Sequence, residues 1–192
     1  MSTSQNVSDI NPFKKQRSQG SREFEAWWRG LPRTGLIPEW RAFIPARAIR
    51  FLPKLILVEA PNPTHPRLYF RLAGEMLNEN VQQNLAGTNW LDFLPPEQHT
   101  EALASARLIC GHPCGIWQLN PVHYEGEYSQ DVEATIFPLG PTADGIPLML
   151  GSLEYLKGAE HKAAAPGKGM SAETSSTYEF IDIGAGVPSP RA

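Results

Sequence analysis

Residues 54–74, KLILVEAPNPTHPRLYFRLAG, constrain the fold more than any other stretch of the chain. Residues 55–58 form a short run of branched apolar side chains. Residues 67–73 alternate, with Leu68, Phe70 and Leu72 on one side and Arg67, Tyr69 and Arg71 on the other. Both patterns are those of β-strands. Pro61, Pro63 and Pro66 between them cannot continue a ladder of backbone hydrogen bonds. The two runs are therefore expected to fold back on each other as a β-hairpin, with Gly74 ending its second strand.

Around this hairpin the rest of the chain divides by its apolar spacing. Residues 1–20 are polar and aperiodic and are expected to be disordered. Ser21 suits an N-cap, and Phe24, Trp27 and Trp28 share one face of a short helix ending near Gly30. Across residues 31–53 the prolines at 32, 38, 45 and 53 forbid a long helix, and apolar anchors such as Trp40, Phe43, Ile44 and Phe51 predict an ordered strap. After the hairpin, residues 75–80 and 84–94 read as short helical pieces. Pro96 opens a longer helix over 97–110, with Ala102, Leu103, Ala106, Ile109 and Cys110 on its apolar stripe and Gly111 at its end. Strands are expected at 114–124 and 128–137, joined by Glu125-Gly126-Glu127, and again at 148–155. Two strands, a helical insert and three more strands predict an α+β domain: a five-stranded antiparallel sheet over 54–156 with helices on one face, preceded by the helix and strap of 21–53.

Composition narrows the class. With 192 residues, 41% hydrophobic, and five Trp and eight Phe, the chain has enough apolar mass for a real core. No run approaches the roughly 18 apolar residues of a membrane span, and the first residues lack the apolar centre of a secretion signal. A cytoplasmic protein is expected, with Cys110 and Cys114 as reduced thiols. The net charge of −3 conceals an asymmetry: residues 1–50 carry nine Lys and Arg against four Asp and Glu, whereas 51–192 carry eight against sixteen. Packing of the basic front on the acidic body is the simpler reading. No recognition motif accompanies the charge, so nucleic acid is not an expected partner.

Leu72-Ala73-Gly74 at the end of the hairpin, then Leu85-Ala86-Gly87-Thr88 running into Trp90-Leu91-Asp92-Phe93-Leu94-Pro95-Pro96-Glu97, resemble the punctuation of a PAS domain. Trp27-Trp28, the proline strap and Leu52-Pro53 are similar to a divergent, mostly stand-alone PAS family from alphaproteobacteria, so the resemblance covers about residues 24–156. It implies a sensory or regulatory role in signal transduction, homodimerisation and an unidentified small ligand. The candidate pocket residues on that resemblance are Phe70, Leu72, Met76, Trp90 and Phe93, with core packing the plainer reading of Met76, Trp90 and Phe93. For the helix carrying Phe24, Trp27 and Trp28 it implies packing on the sheet or pairing in a dimer, and the aromatic area points to a contact with a second subunit.

No cofactor is assigned by the residues themselves. Cys110, His112 and Cys114 lie within five positions, but the second ligand pair that zinc needs is missing and Trp117 stands where a deaminase signature has its second Cys. No metal site is expected. A lone His99 in the first turn of a helix is a weak candidate for a haem ligand, and no flavin-photoreceptor cysteine motif is visible. Phosphate-cradling glycine loops, G-x-S-x-G and H-E-x-x-H are absent, and Glu125, Glu127, Asp131 and Glu133 alternate as an exposed acidic face does. The chain reads as no enzyme but an adaptor that signals by binding another protein.

Residues 157–192 are rich in Ala, Gly, Ser and Pro and are expected to be a flexible tail. Within it 178–184 form an apolar island, whose Tyr178, Phe180, Ile181 and Ile183 suit addition to a sheet edge of this chain or of a partner. The rival to the signalling adaptor is a peripheral membrane or nucleic-acid binder led by the basic, Trp-rich front.

Overall fold

The computed structural model describes residues 16–43, 47–62, 66–124, 128–156, 170–172, 175 and 177–188. The disorder expected of 1–15 and of 157–169, and the hairpin connection expected at 125–127, fall outside the described residues. The helices are α1 (Gln19–Arg29), α2 (Glu75–Val81) and α3 (His99–Gly111). The strands are β1 (Leu55–Glu59), β2 (Phe70–Ala73), β3 (Cys114–Tyr124), β4 (Tyr128–Leu139), β5 (Leu148–Tyr155), β6 (Met170–Ala172) and β7 (Thr177–Asp182). All pair antiparallel in one sheet ordered β2-β1-β5-β4-β3, and β6 and β7 both pair with the far edge of β3. The α+β class and the five expected strands are those observed.

The sheet is covered on both faces, and the side chains of each strand alternate between two cores. On the face toward α2 and α3 lie Ile56 and Val58 of β1, Ile116 and Val122 of β3, Val132 and Ala134 of β4, and Met149 and Leu153 of β5. On the other face lie Leu55, Trp117, Leu119, Phe137 and Leu150. The alternation breaks once. Leu57 pairs with Leu72 while Val58 pairs with Phe70, a bulge that leaves Arg71 as the extra residue. Phe70 therefore joins the core of α2 and α3, and Leu72 packs with the opposite core. The sequence pattern had placed both on one face, because period-two reading assumes an unbroken ladder. Gly74 follows at once, where a Cβ would collide with the carbonyl oxygens of Leu52 and Pro53.

The second face is covered by α1 and the strap. Ser18, not Ser21, is the N-cap, accepting the Ser21 amide at 3.0 Å. The helix begins earlier than expected because Ser18 is itself anchored: its backbone N–H donates to Glu133 Oε1 at 2.8 Å. Ser21 lies inside the helix, buried, with its hydroxyl 2.6 Å from that of Thr135 on β4. Phe24 and Trp28 are 0% exposed. The Trp28 ring stacks on Phe137 at 4.6 Å with an interplanar angle of 17°, and its Nε1–H donates to the Pro138 carbonyl at 3.2 Å. Trp27 is half-buried against Phe43 and Phe51 of the strap. The aromatic area that motivated a second subunit is thus largely spent inside this chain. Glu133 corrects the acidic-face expectation: it is 1% exposed, because α1 lies over its side of β4, and it also accepts Trp117 Nε1–H at 2.5 Å. Within the basic front, Arg17 and Arg29 bracket Glu25 at 2.6 and 2.8 Å.

The largest departure is at the tail. Residues 170–172 and 177–182 are strands of the sheet, and Thr177–Asp182 pairs residue by residue with 114–119 of β3. Ala172, Ile181 and Ile183 are buried. The chain leaves β7 through a tight turn in which Gly184 and Gly186, both at positive φ, donate backbone N–H groups to Asp182 Oδ1 at 2.7 and 2.9 Å. The apolar island at 178–184 thus adds to a sheet edge of this chain, one of the two alternatives expected of it, whereas β6 carries no comparable signal in the sequence.

Two stability outcomes follow. Ile181→Ala should cost about 2–4 kcal/mol, lowering the melting temperature by on the order of 5–10 °C, whereas a flexible tail would leave it unchanged. Trp28→Ala should cost about 3–5 kcal/mol, and Trp27→Ala clearly less, in urea titrations followed by circular dichroism. Equal costs for the two tryptophans would contradict the asymmetric burial.

Candidate functional site

Between the sheet and α3 lies a cavity of about 250 Å³. Its floor is Ile56 and Val58 of β1, Ala134 and Ile136 of β4, and Met149 and Leu153 of β5. Its roof is the face of α3 bearing Ala102, Ser105, Ala106 and Ile109. Small side chains on α3 stand over Ala134, so the two layers do not interdigitate fully, and the space left is larger than the voids of an ordinary core. Leu68, Trp90 and Leu94 close one side. Tyr178 and Phe180 of β7, with Ser175 and Pro188, close another. The tail therefore forms a wall of the cavity.

The walls are mainly apolar, and β3 contributes two of the polar side chains on them. Gln118 and Asn120 share with Ile116 the side of β3 that faces α3. Asn120 is 4% exposed, and its Oδ1 is buried without a hydrogen-bond partner. Neither residue was singled out from the sequence. The signal was there: Gln118 and Asn120 fall at the inward positions of a strand whose other inward residues, Ile116 and Val122, are apolar.

Of the pocket residues expected from the sequence, Trp90 lines the cavity. Phe70 stands behind it, ring to ring at 5.5 Å and edge-on. Phe93 is half-buried in the surrounding core, and Met76 is half-buried on α2. Leu72 is on the other face of the sheet. Of the tail residues, Tyr178 and Phe180 face the cavity, and Ile181 and Ile183 enter the opposite core. His99 is at the start of α3, where its Nε2 lies 3.1 Å from the Leu94 carbonyl, and it does not line the cavity.

The thiols lie at the far end of α3. Burial pushes the Cys110 thiol up to about 12, the neighbouring Cys114 adding to the effect, and burial pushes Cys114 up to about 11. Both are neutral thiols at pH 7, and among the described residues no group of three His, Cys, Asp or Glu is placed to hold a metal ion. The raised values have a consequence for stability. The unfolded chain loses these protons near the ordinary value of 9.0, before the folded chain does, so the contribution is complete below that pH and is lost as pH rises toward 11–12. Urea midpoints should fall between pH 8 and 10.5, and Cys110→Ala should fall less steeply over the same range. Parallel slopes would show that the thiols do not carry the effect.

Among the described residues no helix is long and apolar enough to cross a membrane. No curated protein matches the chain. Among solved structures, the crystal structure of a Rhodobacter sphaeroides LOV protein is similar at a TM-score of 0.42 and 14% identity, over 62% of this chain and 73% of that one. The family model described as PAS domain matches residues 16–154, which take in α1, the strap and nearly all of the five-stranded core. The chain belongs to the PAS domain family.

Proposed function

We propose that the chain is a cytoplasmic sensory and regulatory protein, without catalytic activity of its own, that takes a small molecule into the cavity beneath α3 and reports its presence to a signalling protein through β7. One observation carries the reading: β7 is at once a wall of the cavity, through Tyr178 and Phe180, and a strand on the sheet edge. A molecule in the cavity gains contacts with those two side chains only while the strand is docked, so binding and docking favour each other. Tyr178 is 48% exposed, and with the outer backbone edge of β7 it offers a partner a strand to pair with. The membrane alternative loses its main support, since Phe24 and Trp28 are consumed by the core.

Native mass spectrometry of protein purified from its own host tests the first half of this reading, and hydrogen exchange of the same sample before and after removal of the retained molecule tests the second. A retained small molecule is expected, with slower exchange over 177–182 in its presence. No retained molecule under several growth conditions, or exchange at 177–182 indifferent to it, would overturn the reading.

A further inference from the structure

The cavity has a chemistry that narrows what can fill it, on the reading above that it is a ligand pocket. Among the described lining residues there is no Lys, Arg or His, and the one carboxylate, Glu101, is at an exposed position. An anion would leave water without a cationic partner, a loss that apolar walls do not offset. Size sets a second limit. A dry apolar cavity of about 150 Å³ already admits benzene, while drug-sized ligands occupy roughly 300–1,000 Å³. A cavity of about 250 Å³ falls between, the scale of one substituted ring or a fused pair.

Asn120 supplies the third limit. The described residues include six buried side-chain polar atoms without a hydrogen-bond partner, on Asn80, His112, Asn120, Gln130, Glu133 and Ser152. Only Asn120 among them lines the cavity. Glu133 and Ser152 lie on the opposite face of the sheet, since they alternate with Ala134 and Leu153. A buried acceptor left unpaired is costly, and one set in an apolar chamber is relieved by an occupant that brings a donor. We infer that the pocket selects small, neutral, largely apolar ring compounds that carry one hydrogen-bond donor, such as a phenolic hydroxyl or a heterocyclic N–H, which is received by Asn120 Oδ1.

The isosteric pair p-cresol and p-xylene, with 4-methylbenzoate as the anionic control, tests this in NMR titrations of the full chain at pH 7. A purely apolar cavity favours p-xylene, the more hydrophobic of the two. The expected result is the reverse, with p-cresol bound more tightly and 4-methylbenzoate not bound. In Asn120→Leu the affinity ratio should swing toward p-xylene by about tenfold, the factor that one hydrogen bond to a buried acceptor is worth. Should that variant not fold, Asn120→Ala carries the same comparison, and the order of the two probes on the wild type decides on its own. If both probes bind the wild type with p-xylene favoured, or the ratio is the same in the variant, Asn120 is served by water and the inference is overturned while the cavity remains a ligand site. Binding of 4-methylbenzoate as tight as that of p-cresol overturns the neutrality of the class. If none of the three binds, the cavity admits no ring at all, and the ligand-pocket reading falls with the inference.

Discussion

The contact between Trp28 and Phe137 decides what kind of sheet this is. An antiparallel sheet with helices on one side ordinarily leaves its other face to solvent, and its strands then alternate apolar and polar residues. Here an indole stacked on Phe137, with Phe24 beside it, turns that outer face into a second core. Every central strand is then buried on both sides. The burial on β5 shows it: Leu148 to Leu153 are buried without interruption. Gly115 belongs to the same constraint, because a Cβ there would strike the Phe137 ring. Burying two aromatic side chains of roughly 150–250 Å² each, at about 25 cal/mol per Å², is worth several kcal/mol, enough to hold a helix of eleven residues that would be marginal alone.

The same constraint separates what was legible in the sequence from what was not. Strands β3 and β5 were readable to the residue because their apolar runs are bounded by Gly, Pro and turn residues. Helix α3 was readable from the stripe of Ala102, Ala106 and Ile109 and from Gly111. The misread residues are those whose partner lies far along the chain. Glu133 looks like an exposed carboxylate until Ser18 and Trp117, 115 and 16 positions away, donate to it. Leu72 looks like a neighbour of Phe70 until the bulge at Arg71 turns the two to opposite faces. Ile181 belongs to an apolar island that suits an edge of this sheet or of a partner's, and its pairing with Gly115 of β3 decides between them. The site was half legible for the same reason. Aromatic residues such as Trp90 announce themselves, but the emptiness above Ala134 comes from small residues, whose significance depends on what faces them.

That emptiness is not neutral. Filling the space above Ala134 with one larger side chain from α3 would gain contacts that the present Ala and Ser residues forgo. The polar positions run the same way: Gln118 and Asn120 occupy places on β3 where Ile or Val would pack better. A chain whose other core is dense enough to stack aromatic rings at 4.6 Å does not lack the means to pack. The departure from best packing is local, gathered around one unpaired amide oxygen, and it is the place where the fold forgoes stability that its own residue types could supply.

The strand that closes the cavity also connects the two cores. Successive side chains of β7 point to opposite faces, so Phe180 meets the cavity while Ile181, the next residue, packs with Trp117 and the core beneath α1. The end of the strand is held from the same side, since Arg29 at the close of α1 donates to the Asp182 carbonyl at 2.6 Å. A strand cannot move one face without the other: a displacement of Phe180 shifts Ile181 and the register with β3 on which both depend. The cavity wall and the core beneath α1 are thereby joined at adjacent residues of one strand, although the helix and that strand are separated by about the whole sheet in sequence.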